Sequence, residues 1–215
     1  RYNTTKLGKR LGIAHEVNYE IHYEPERDVI QMHFQRTLDA MDWFANIFEF
    51  ASRYYRAIEF EGEQLQLRVH HGWGNMYLAI KNVVRSEWQA LHEAHPTAAT
   101  EILGWSLGSG IACLCCQDLN FNFGVKPYLY TFGSVRPFKC TPINKKRMHR
   151  YLDTLCTDCE NFADVNDLIS YLPPFRGFTM IRRVNVGTNH KRSLFKLIHP
   201  LRYHVHYDQA DLYQK

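Results

Sequence analysis

"TEILGWSLGSGIACL" (residues 100–114) decides how this chain folds. The stretch opens apolar, breaks at Gly104, sets Ser106 between Gly104 and Gly108, and then runs apolar again. A strand that turns sharply into a helix needs small residues two positions either side of the turn, because the two backbones nearly touch there. Gly104, Ser106 and Gly108 have that spacing, and Ser109 and Gly110 keep the first helical turn small. A serine on such a turn stands clear of its own backbone, yet it attacks an ester only if a base takes its proton. Gly-x-Ser-x-Gly alone arises by chance roughly once in fifteen chains of this length. The weight therefore falls on context: a strand pattern precedes it and an apolar helix pattern follows. The competing reading is a glycine-rich turn with an inert serine.

Outward from this turn, strand and helix patterns alternate. "VNYEIHYEPERDVIQMHF" (17–34) alternates apolar and polar on both sides of "PERD", which reads as a hairpin. In 39–52, Phe44, Ile47, Phe48 and Ala51 share one helical face. "QLQLRVH" (64–70) alternates as a strand, and 75–95 reads as a long amphipathic helix carrying Tyr77, Ile80, Val84, Trp88 and Leu91, ending before Pro96. Then come a strand (99–105), the apolar helix (107–119), a strand (126–133), a charged helix (143–155), a strand (159–165) and a further strand over "FTMIRRVNV" (178–186). This order predicts an α/β fold with a mostly parallel central sheet flanked by helices.

The chain has 215 residues, 45% hydrophobic and 22% charged, which suits a single domain over 1–215. It begins at Arg1, so that domain is read as trimmed at its N-terminus. The net charge is +4 with twelve histidines neutral, and no dense Lys/Arg block marks a nucleic-acid surface. No run is long and apolar enough to span a membrane, and residues 1–10 lack the apolar core of a signal peptide. The compartment, secreted or cytoplasmic, stays open. Of six cysteines, Cys113, Cys115 and Cys116 read as buried thiols. Cys140, His149, Cys156 and Cys159 lie close enough in sequence to raise a zinc site, although their spacing fits no common finger, and a disulfide or free thiols compete.

Five segments in order resemble the class 3 lipases, the family of the fungal triacylglycerol lipases. "HFQRTLDAMDWFANIFEF" resembles the oxyanion segment and the lid helix after it, with Asp42, Trp43 and Asn46 in place. "VHHGW" resembles the Val-His-x-Gly-Phe that opens the next helix, and "GWSLGSG" the serine turn. "YTFGSVRPF" resembles Thr-Phe-Gly-x-Pro-Arg, and "VNDLISYLPP" the segment that carries the acid. The resemblance covers residues 17 to about 208 and implies an α/β-hydrolase fold. The departures are Gln35-Arg36 where the family has Arg-Gly, Val135 for its proline, Trp105 for its histidine and Ser109 for its second glycine. Glycine lets backbone approach closely and arginine does not, so the departure implies a reshaped oxyanion loop.

The resemblance also implies the site. Asp167 is the acid, with Asp164 as the alternative; a helix or turn cap is the competing reading of Asp167. The order Ser, Asp, His places the base after residue 167, among His190, His199, His204 and His206. The family's His-x-x-Tyr matches "HVHY" and favours His204 with Tyr207. His206 stays open, because both histidines share one side of an extended segment. The oxyanion donors are the amides of Leu107 and Thr37. Trp43, Phe44, Ile47 and Phe48 form a lid or acyl pocket, or else core. His70 and His71 read as structural. The expectation is hydrolysis of carboxylic esters, acylglycerols above all, at a lipid–water interface, through an acyl-Ser106 intermediate, with no cofactor. The rivals are a phospholipase A1 or a short-chain or aromatic-acyl esterase, and a scaffold of the same fold that no longer turns over.

Overall fold

The computed structural model describes residues 17–35, 51–173, 177–187 and 207. In chain order the strands are β1 (Tyr19–Glu24), β2 (Val29–Phe34), β3 (Ser52–Phe60), β4 (Glu63–His70), β5 (Ala99–Trp105), β6 (Tyr128–Phe132), β7 (Phe138–Lys139), β8 (Asp158–Asp164), β9 (Phe178–Thr179) and β10 (Arg183–Val186). Helix α1 (His71–Ala94) joins β4 to β5, α2 (Leu107–Phe123) joins β5 to β6, and α3 (Lys145–Asp153) joins β7 to β8.

The main sheet has the order β1-β2-β5-β6-β8-β10. β1 and β2 form the expected hairpin, with Tyr19 opposite Phe34 and Glu24 opposite Val29. Its turn closes on Asp28, which takes φ 49° and accepts the Tyr23 hydroxyl at 2.9 Å. From β2 onward every pair is parallel. The sequence reading of a mostly parallel α/β sheet after an opening hairpin therefore holds.

A second sheet, β3-β4-β7-β9, is antiparallel and was not expected. Its β3 strand, "SRYYRAIEF", has no clean alternation and is mostly half-exposed, so the period-2 signal is weak. The single strand expected over 178–186 is corrected here. Phe178–Thr179 pair with β7 in the small sheet, and Arg183–Val186 pair with β8 in the main one. The linking residues cross between sheets, where the Asn161 side-chain amide donates to the Ile181 carbonyl. A local run of β-formers cannot say that its two halves belong to different sheets.

Helix α1 starts at His71, earlier than its periodicity suggests, and buries Trp73, Met76, Tyr77, Ile80, Val84 and Trp88. Helix α2 is buried on all sides through Leu119, which fits its uniformly apolar sequence. It packs against β5, β6, β2 and α1. Its one carboxylate, Asp118, is fully buried. Asp118 accepts from Arg85 Nε at 2.6 Å, Arg56 Nη2 at 2.5 Å and the Tyr77 hydroxyl at 2.9 Å. Burial works to raise the Asp118 pKa, but the Arg85 and Arg56 contacts outweigh it and hold it below the usual carboxylate value.

All six cysteines are free and buried, as read for Cys113, Cys115 and Cys116. The zinc grouping is corrected. Cys156 Sγ lies 3.1 Å from Cys116 Sγ, Cys159 Sγ accepts from Asn161, and His149 Nε2 sits 3.2 Å from the Thr179 hydroxyl. Among the described residues, no group of three or more His, Cys, Asp or Glu side chains is arranged to hold a metal ion. No described helix is long and apolar enough to cross a membrane.

Candidate active site

Ser106 lies between β5 and α2 with φ 56° and ψ −119°. A side chain at positive φ is strained, and such strain persists only where the surroundings over-determine it. Two glycines do so here. A Cβ on Gly104 would lie 2.7 Å from the Gly108 carbonyl oxygen and 2.8 Å from the Ser109 Cα. A Cβ on Gly108 would lie 2.2 Å from the Phe34 carbonyl oxygen. Both positions therefore demand glycine for close backbone approach, as the spacing implied. The Ser106 amide donates to the Phe132 carbonyl at 2.8 Å, which ties the turn to the end of β6.

Ser109 does more than its small size suggested. Its hydroxyl donates to the Ser106 carbonyl at 2.5 Å and accepts from the Val135 amide at 3.1 Å. It thus joins the serine turn to the loop after β6. Within β6 Thr131 hydrogen-bonds to both Ser134 and Asn161, and in the loop the Gly133 amide donates to the Phe162 carbonyl at 3.0 Å. No local pattern signals this brace beyond a small residue at position 109.

Asp167 follows β8, two strands from β5 in the main sheet. It is fully buried. Oδ1 accepts the Ile169 amide at 2.9 Å, and Oδ2 accepts the Ser170 hydroxyl at 2.8 Å and the Tyr207 hydroxyl at 2.8 Å. Asp164 instead turns to its own loop, accepting the Asn166 amide at 2.7 Å. A Cβ on Gly187 would sit 3.1 Å from both Asp164 oxygens. The distant C-terminal segment reaches the Asp167 carboxylate through Tyr207.

Tyr207 is that reach. Its hydroxyl also accepts the Asp164 amide at 2.7 Å, and its ring meets Trp105 edge-on at 6.2 Å between centroids. One side chain therefore touches the residue before Ser106 and the carboxylate of Asp167. Burial, reinforced by the Asp167 charge, pushes the Tyr207 hydroxyl far above its ordinary pKa, so it stays protonated and donates.

Leu107 opens α2 and is buried, and its amide has no helical carbonyl to bond. The backbone of Phe34 and Gln35 lies against Gly108, so the chain leaves β2 beside the serine turn. Arg36, Thr37, the aromatic set Trp43, Phe44, Ile47 and Phe48, and His190, His199, His204 and His206 lie outside the described residues. His70 is buried against Trp73, with ring centroids 4.1 Å apart, in keeping with a structural role.

A serine on a strained strand-to-helix turn, with a buried aspartate beyond a later parallel strand, defines an α/β-hydrolase. The chain matches the class 3 lipase family over residues 31–176 and belongs to it. Among solved structures it is similar to the Rhizomucor miehei lipase in complex with its propeptide, at 20% identity and a TM-score of 0.63, covering 80% of this chain and 53% of that one. It is also similar to the Rhizomucor miehei triacylglyceride lipase, at 18% identity and a TM-score of 0.64, covering 87% and 65%. Lipase II from Rhizopus niveus matches at 20% identity and a TM-score of 0.62, covering 79% and 61%. The chain thus spans between about half and two thirds of the length of these lipases. No curated protein sequence matches it.

Proposed function

We propose that this chain hydrolyses carboxylic esters, with acylglycerols as the preferred class, through Ser106, His204 and Asp167. The observation that carries this reading is Tyr207, which meets both the serine turn and the acid. These contacts support the "HVHY" segment as the source of the base.

In this reading His204 takes the Ser106 proton as Oγ attacks the ester carbonyl carbon. The negative charge that develops on the carbonyl oxygen meets the Leu107 and Thr37 amides, and the positive end of α2 adds to their effect. Asp167 holds the imidazole in the needed tautomer and stabilises its charged form. Collapse breaks the bond to the leaving alcohol, which receives the proton from His204. A water deprotonated by the same histidine then attacks acyl-Ser106 and releases the acid. No step calls for a cofactor. His206 is the alternative base. Trp43, Phe44, Ile47 and Phe48 form an apolar cover that opens at a lipid surface.

The test is labelling with a fluorophosphonate probe. The probe should mark the parent at Ser106 and leave Ser106→Ala unmarked. No labelling of the parent would favour the non-catalytic scaffold, the reading that Gln35-Arg36 keeps open. Rates on a triglyceride emulsion, phospholipid and p-nitrophenyl esters then rank the substrates. A jump as the triglyceride passes its solubility limit supports a lipase. Smooth saturation through that limit supports a soluble-ester esterase.

A further inference from the structure

A cleft of about 640 Å³ has neither Ser106 nor Asp167 in its lining. Its lining comes from the loop after β6, the segment after β7, α3 and the β9–β10 segment. Arg136, Lys145, Arg182 and Arg183 all line it, with Asp153 as the one carboxylate residue in the lining.

These cations are poorly compensated. Arg182 reaches Asp158 at 3.3 Å, but both are about half exposed, so that pair is weak. The Arg183 guanidinium donates to the Ser170 carbonyl and to Asn185, and among the described residues its buried Nη2 has no hydrogen-bond partner. Arg136 lies 5.3 Å from the centre of the Tyr171 ring, and Arg183 lies 4.4 Å from it. Among the described residues neither the Arg136 guanidinium nor the Lys145 ammonium has a carboxylate or acceptor in reach. Burial, with the Arg183 charge beside it, holds Arg136 below its usual pKa. Gathering like charges in a half-buried cleft costs stability unless an anion offsets them.

We propose that this cleft is a binding site for a phosphate group, held by Arg136 and Lys145 with Arg183 behind them. Phosphate fits better than carboxylate because the cations that line the cleft come from separate elements. A tetrahedral dianion can accept from several directions at once, whereas one arginine fork already satisfies a carboxylate. His149 stands on the rim with its Nε2 against the Thr179 hydroxyl. The remaining wall includes Phe178, Met180 and Pro142, so a phosphomonoester with an apolar or sugar portion has surface to lie on.

The test is calorimetric titration of the whole chain with inorganic phosphate, against chloride at matched ionic strength. Arg183 is left unchanged because it also holds the Ser170 carbonyl. Arg136→Gln and Lys145→Gln are the variants, and Lys145 is exposed, so its replacement leaves packing alone. The parent should bind phosphate saturably, and each variant should weaken binding about tenfold or more while keeping the parent circular dichroism. Flotation with phosphatidylcholine vesicles, with and without phosphatidic acid, separates the sources. Variant-sensitive binding to phosphatidic acid vesicles assigns the site to a lipid headgroup, and variant-sensitive binding of free phosphate assigns it to a soluble ligand. Absence of saturable binding in both arms, or equal affinity in the parent and both variants, overturns the proposal.

Discussion

The Tyr207 hydroxyl donates to Oδ2 of Asp167 at 2.8 Å and accepts the amide of Asp164 at 2.7 Å. One phenol oxygen thus fixes both ends of the loop that carries the acid. Tyr207→Phe removes the donor and leaves a buried amide unpaired, which costs about 1–3 kcal/mol. The expected outcome is a lower thermal midpoint together with a fall in kcat at nearly unchanged KM. A change in KM alone would mean that the contact serves substrate binding instead.

Ser106 separates activity from stability. Ser106→Ala should lower kcat by about four to six orders of magnitude while keeping the fold, because a missing nucleophile is not replaced by its partners. Ser106→Gly should be equally inactive yet gain about 1 kcal/mol, since glycine takes φ 56° without strain. Chemical denaturation of the three proteins side by side checks both statements. Esterase activity of Ser106→Ala within tenfold of the parent would sink the proposed mechanism.

Gly108 should tolerate no side chain. Its Cβ would fall 2.2 Å from the Phe34 carbonyl, which is backbone and cannot swing aside. Gly108→Ala should cost about 3 kcal/mol or more and push the end of β2 away from the serine turn. Gly110→Ala is the control, since its Cβ would meet Val135 and Trp73 side chains at 3.0 and 3.2 Å. Denaturation midpoints should rank parent, Gly110→Ala, Gly108→Ala in falling order.

The base can be assigned by pairing two variants. His204→Ala should abolish hydrolysis and fluorophosphonate labelling, while His206→Ala keeps most of both. The reverse pattern would move the base to His206 and leave the rest of the mechanism standing.

Asp118 links acid stability to the buried arginines. Its folded pKa is depressed, so its contribution is fully present above the unfolded value near 3.9 and is lost as pH falls through the lower folded value. Asp118→Asn leaves Arg56 and Arg85 without their counter-charge and should cost about 3–5 kcal/mol at neutral pH. The gap between parent and variant should narrow as pH drops below about 4. Urea titrations across pH measure it. A gap that stays constant to low pH would show that packing, and not charge, is what Asp118 supplies.

What the sequence determined by itself is local. Gly104, Ser106 and Gly108 announce the turn because its constraint is steric and acts within a few residues. The hairpin of β1 and β2 and the helices α1 and α2 carry their own periodicity, so they too were legible. Asp167 was named through the resemblance, by its place in a short segment. Only the tertiary structure decided which distant groups meet. It split 178–186 between two sheets, because a run of β-forming residues does not specify its partners. It set Cys156 beside Cys116 and not in a metal site, because packing of α2 against the chain before β8 chose the neighbour. It joined the Ser109 hydroxyl to the Val135 amide, 26 residues on, and Tyr207 to Asp167, 40 residues back, because partners so far apart meet only through the packing of the whole chain, which no local pattern encodes.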